Sequence, residues 1–416
     1  MIETSKKILK NGLTVVHHFD ETSPFVVVNT LYKIGAKDED PERTGFAHLF
    51  EHLMFEGSKN SDTYDEPLQE AGGENNAFTN NDYTNYYCQV PKNNLDVALF
   101  LEADRMCNLK INQRALNEQK KVVIEEFKEH YINQPYGNVW HILREMIYEK
   151  HPYMWPTIGK TTDHVANATL EDVKSFYSKY YQPSNAILVV GGNLDKEFVF
   201  ERVEHFFGEI NFSVSAPKNS ITEPIQSIPK EKTIFADVSL DAIFIAFKAP
   251  DRFDPTFFVS DLVSDILSGS QSSRLYQKLV KEQKLFVSID AYISASNEIG
   301  LFCVEGKMAP GVDIKIAETA IWEELELLKK ESVSFNELQK IKNKTLSHLN
   351  FSDTSLMSKV INIAYFELLG DANLINKEEE NYLNVSAEDI LLFANQTFQK
   401  EKSNTLYYLK KENDIK

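Results

Sequence analysis

The chain has 416 residues, a length that suggests two or three domains. Hydrophobic residues make up 42% and charged residues 25%, the balance of a globular protein with a large core. The formal net charge is −18, from 62 acidic against 44 basic residues, which argues against nucleic acid and anionic membrane as main partners, because both select basic patches. Cys88, Cys107 and Cys303 lie far apart with no C-x-x-C spacing, so they form no disulfide framework and suit a reducing compartment. The N-terminus lacks an apolar signal core and no run approaches a membrane span. The expectation is a cytoplasmic protein, or a periplasmic one if a signal peptide has been removed.

In chain order, Gly12 breaks into Leu13-Thr14-Val15-Val16, and Phe25 to Tyr32 (FVVVNTLY) is a second β-rich run. Both read as strands of one sheet. After the turn-rich Lys37-Asp38-Glu39-Asp40-Pro41 comes a helical segment holding His48-Leu49-Phe50-Glu51-His52. Residues four apart on a helix share a face, so His48 and His52 can both reach one metal ion. Glu51 lies at the edge of that face, placed to touch a metal-bound water rather than the metal. Zinc with two histidines and one more protein ligand keeps a fourth position for water and lowers that water's pKa to about 7. The order H-x-x-E-H is the reverse of the commoner H-E-x-x-H zinc motif.

Gly72-Gly73 and a polar stretch through Asn81 lead to a strand from Tyr83 to Val90. Helical segments follow at Leu95–Met106 and from about Arg114 to Tyr131. In the second, Val122, Val123 and Phe127 give a buried side, and Glu125, Glu126 and Glu129 are all candidates for a third ligand that spacing alone does not separate. Ala186–Val190 is an apolar strand ended by Gly191-Gly192.

Residues 211–232 carry three prolines and many Ser, Asn and Lys residues, and read as a linker between 1–210 and 233–416. The two halves echo each other. Thr169-Leu170-Glu171-Asp172-Val173, then Phe176 and Ser184-Asn185-Ala186-Ile187-Leu188, is matched by Ser386-Ala387-Glu388-Asp389-Ile390, then Phe393 and Ser403-Asn404-Thr405-Leu406-Tyr407. Aligning Gly57 with Gly269 puts Ser260, Val263 and Ser264 where His48, Glu51 and His52 stand, so the second half has no metal set.

Several segments in one order carry a more specific likeness: GFAHLFEHLMFEGS at 45–58, GGENNAFTNNDYTNYY at 72–87, LEADRM at 101–106, VVIEEFKEHYINQPYG at 122–137, HPYMWPTIG at 151–159 and SSRLYQKL at 272–279. On these the chain resembles the pitrilysin, or mitochondrial processing peptidase, family of zinc peptidases, in its short bacterial two-domain subgroup. The resemblance implies an α+β fold of two homologous domains, each an antiparallel sheet covered by helices, arranged as a clamshell that closes a chamber. It implies Zn2+ on His48, His52 and Glu126, with Glu51 as general base of peptide hydrolysis. It further implies that Asn76, Ala77, Phe78 and Thr79 form an edge strand to which an unfolded peptide substrate adds. A glutamate that the family often places seven residues before the third ligand is Gln119 here, beside Glu118.

The family's arginine and tyrosine, seven residues apart after the SSRLY-like motif, correspond to Val280 and Val287. Neither valine can donate to an oxyanion, and loss of one such donor lowers kcat by ~100- to 1,000-fold. Three explanations are open: Arg274, Tyr276 or Lys281 serves instead; a homodimer partner or a related chain in a heterodimer supplies the pair; or the chain alone is a weak peptidase. A non-catalytic assembly subunit of the same fold is the alternative from another class.

Overall fold

The computed structural model describes residues 1–211 and 221–411, so much of the expected linker at 211–232 lies outside the described residues. Two compact units account for the chain. The first gathers the described residues of Met1–Glu129, Trp155–Ile221 and Asn350–Lys377, and the second those of His130–Met154, Thr222–Leu349 and Glu378–Lys416.

In the first unit, strands β1 (Ser5–Ile8), β2 (Thr14–Phe19), β3 (Phe25–Tyr32), β4 (Glu74–Thr79), β5 (Thr84–Pro91) and β6 (Ala186–Gly192) make one sheet in the order β1-β2-β6-β3-β5-β4. In the second unit, β7 (Lys230–Ala236), β8 (Ala242–Ala249), β9 (Phe286–Ser294), β10 (Gly300–Met308) and β11 (Asn404–Lys410) lie in the order β7-β11-β8-β10-β9. Once β1 is set aside, the two orders are the same permutation of first to fifth strand. The echo read in the sequence is therefore a repeat of topology.

The expectation of antiparallel sheets needs correction, because each sheet is mixed. β6 runs parallel to β2 and antiparallel to β3, and β11 runs parallel to β7 and antiparallel to β8. The cause is insertion. β2 and β3 run in opposite directions, as do β7 and β8, so a last strand entering between them must lie parallel to one of the two. The remaining pairings are antiparallel.

Helices α1 (Phe46–Leu53) and α2 (Asp65–Glu70) lie between β3 and β4, and α3 (Leu95–Asn108), α4 (Gln113–Phe127) and α5 (Val139–Ile147) follow β5. Helix α5 buries Val139, Leu143 and Ile147, a stripe at helical spacing, and packs on β8 and β11 of the second sheet. The helix Leu356–Leu368, from the other end of the sequence, buries Val360, Ile363 and Ala364 against Val27, Leu31, Ile187 and Val189 of the first sheet. Gly191 admits that helix, since a Cβ there would stand 2.3 Å from Val360 Cγ2. The compact units thus interleave along the chain, where the expected boundaries cut it once. Among the described residues no helix is long and apolar enough to cross a membrane.

Candidate metal centre

Helix α1 buries Phe46, Leu49, Phe50 and Leu53, spaced to hold one face against the unit's core. The opposite face carries His48, Glu51 and His52, all partly exposed. The helix starts at Gly45, whose φ of 89° lies in the left-handed region and whose missing Cβ leaves room for the Ile158 carbonyl, 2.7 Å away. Its first amides are satisfied from a distance: the buried Glu39 carboxylate accepts N–H bonds from Gly45 at 2.9 Å and Ala47 at 2.7 Å. Sequence reasoning missed Glu39, because it lies outside the usual capping position.

Helix α4 packs against α1. It begins at Asn112, whose side chain accepts from the amides of Arg114 and Ala115. It buries Ala115, Leu116, Val123 and Phe127, whereas Val122, expected on the buried side, is 47% exposed. The helix phase also separates the glutamates. Glu126 Oε2 lies 3.8 Å from His48 Nε2 and 3.5 Å from His52 Nε2. Glu125 turns outward and accepts from Lys128 Nζ at 2.7 Å, and Glu129 is exposed.

His48, His52 and Glu126 are the one set of three potential ligands found among the described residues, with ligand atoms all within 4.8 Å of one another. The two imidazole rings stand at 89° with centroids 4.8 Å apart. Burial, with the neighbouring His52 second, pushes the His48 pKa down to about 3, so this imidazole is neutral at pH 7. The histidine–glutamate distances exceed a good hydrogen bond, and the three ligand atoms border a common space. A tetrahedral zinc with ligands at ~2.0–2.1 Å needs ligand atoms roughly 3.3–3.5 Å apart, and the two distances to Glu126 come close to that. The donor set, two imidazole nitrogens and one carboxylate oxygen, therefore fits zinc.

Glu51 is partly buried, which raises its carboxyl above the usual range, and the neighbouring Thr79 and His52 oppose the rise. Thr79 closes β4, so the carboxylate stands beside the end of that strand. β4, which carries Asn76, Ala77, Phe78 and Thr79, is an edge strand of its sheet among the described residues. The Ala77 amide donates to Asn76 Oδ1 at 2.8 Å and not to β5.

Residues 14–159 match the family model described as insulinase (peptidase family M16), and residues 167–345 match the one described as peptidase M16 inactive domain. The chain is 30% identical over 407 residues to the zinc protease PqqE of Helicobacter pylori, covering 96% of this chain and 91% of that protein. The chain belongs to peptidase family M16. It is also 27% identical to the uncharacterized zinc protease YmxG of Bacillus subtilis, covering 94% of this chain and 95% of that one. The crystal structure of a protease from Helicobacter pylori superposes with a TM-score of 0.93 at 28% identity, over 98% of this chain and 100% of that one.

This M16 protease is a zinc protease, and its second half agrees with the inactive-domain description. Ser260, Val263 and Ser264 are buried in the helix Thr256–Ser268, and the two serine hydroxyls donate to Phe257 and Asp261 carbonyls of their own helix. Val280 packs against the second unit's core and Val287 is 56% exposed on β9. Arg274, one of the alternative donors, is held by two bonds to Glu337, at 2.9 and 2.8 Å.

Proposed function

We propose that this M16 protease is an endopeptidase that hydrolyses unfolded peptides within an enclosed chamber, with His48, His52 and Glu126 as zinc ligands and Glu51 as general base. The convergence of two imidazoles and one carboxylate from α1 and α4 on a common point carries the reading. Zinc bound there would supply a water of lowered pKa and polarise the scissile carbonyl. Glu51 takes the attacking water's proton and returns it to the leaving amine.

The peptide adds to β4 as a further strand, bound through its backbone and therefore with little regard to sequence. Two observations support this. β4 has no neighbour on its outer side among the described residues, and the Ala77 N–H rests on its own neighbour's side chain, which an incoming carbonyl can replace. An unfolded chain offers such an extended segment most readily, which favours unfolded peptides as substrates.

The donors for the oxyanion come from Tyr276 or Lys281, or from a second chain, either another copy or a related subunit. Val280 and Val287 offer no donor, and Arg274 is already committed to Glu337.

Equilibrium zinc binding tests the site. Glu126→Gln should weaken binding by more than ~10-fold, whereas Glu125→Gln should leave it within about threefold, since only one of the two faces the imidazoles. Equal losses in both variants would reject the ligand set. Mass measurement in solution, alone and after mixing with fractions of the parent organism, tests the second chain.

A further inference from the structure

Gln119 and Glu126 lie seven residues apart on α4, two helical turns, so both leave the face that meets α1. Beyond the last turn of α1 the chain bends back, and Glu56 there accepts a hydrogen bond from the Gln119 amide, with Nε2 and Oε1 2.5 Å apart. The two helices are therefore joined at two levels. One is Glu126 against His48 and His52, and the other is Gln119 against Glu56. The second bond also orients the amide. With its NH2 turned to the carboxylate, its Oε1 is buried and has no partner among the described residues. Turned over, it would set two acceptors against each other.

We propose that Gln119 and Glu56 form a positioning pair for the zinc site. Their charge-assisted bond fixes the spacing of α1 and α4, and through it the distance of Glu126 from the two imidazoles. The pair touches neither metal nor substrate. It acts as an outer support of the kind that keeps ligands oriented. The inference rests on His48, His52 and Glu126 being the ligands.

The chemistry is asymmetric, which makes it testable. A carboxylate at 119 would face Glu56 with like charge at hydrogen-bond distance, whereas exchanging the two side chains would rebuild the same bond in reverse. Zinc affinity should be measured by competition with a chromophoric chelator for the wild type, Gln119→Glu, Glu56→Gln and the double exchange, with kcat and KM beside it. Gln119→Glu is expected to bind zinc ~10- to 100-fold more weakly, and the loss in hydrolysis to fall on kcat. The double exchange should recover wild-type affinity to within roughly threefold. Gln119→Glu with wild-type affinity, or a double exchange as weak as the two single losses combined, would overturn the proposal. If Gln119→Glu does not fold, the double exchange decides alone by keeping or losing zinc. A wild type that binds no zinc would overturn the ligand set itself, a different outcome from wild-type binding that Gln119→Glu leaves unchanged.

Discussion

At Glu223 a buried carboxylate is held ionised by its surroundings. Burial raises its pKa, but amides of Glu149, Lys150 and His151 donate to it at 2.8, 3.0 and 2.9 Å, and Lys248 Nζ at 3.0 Å, which together bring it to about 2. A carboxylate depressed below its unfolded value stabilises the fold above the unfolded pKa and loses that contribution as pH falls toward the folded one. The wild type should therefore lose up to about 3 kcal/mol between pH 4.5 and 2 from this one group. Urea unfolding of Glu223→Gln should show a stability at pH 7 that is lower by a similar amount and falls less on acidification; an unchanged acid profile would rule the residue out as the source. The same scale explains what could be read of the proposed zinc ligands. His48 and His52 are legible because four-residue spacing fixes a shared helix face. Glu126 is not separable from Glu125 by local chemistry, and depends on which side of α4 meets α1. Glu39 is invisible because its bonds to Gly45 and Ala47 bypass the position where a cap is normally sought.

Elements carry the substrate argument. β4 is short, lies at a sheet edge, and pairs with β5 through a register in which Ala77 stands opposite Tyr86. Because the Ala77 N–H bonds to Asn76 and not to β5, Ala77→Pro removes an outward donor and spares the ladder. If a peptide bonds there, KM should rise about fivefold, the worth of one backbone hydrogen bond, with kcat and thermal stability little changed. A wild-type KM in this variant would place the peptide elsewhere. Strand positions at Phe25–Tyr32, Thr84–Pro91 and Ala186–Gly192 were legible because β-rich runs end at glycine, proline or polar turns. The parallel pair in each sheet was not, since the pattern of one strand says nothing about which neighbours it enters between.

For the whole molecule, duplication was the most informative long-range signal, and it appears as two sheets of the same strand order, with one candidate metal set among the described residues, in the first half. The interleaving of the units was hidden for a physical reason. The apolar stripes of Val139–Ile147 and Leu356–Leu368 announce that each helix is buried, but not on which sheet. The valines at 280 and 287 make catalysis a property to be sought in an assembly as well as in the single chain. The central claim, that Glu51 is the base of a zinc peptidase, is tested most directly by hydrolysis of a quenched fluorescent peptide library with wild type and Glu51→Gln, zinc content being measured in both. Turnover is expected in the wild type, supplied with its second chain where one is needed, and should disappear in the variant while zinc stays bound. Equal turnover in both proteins would contradict it.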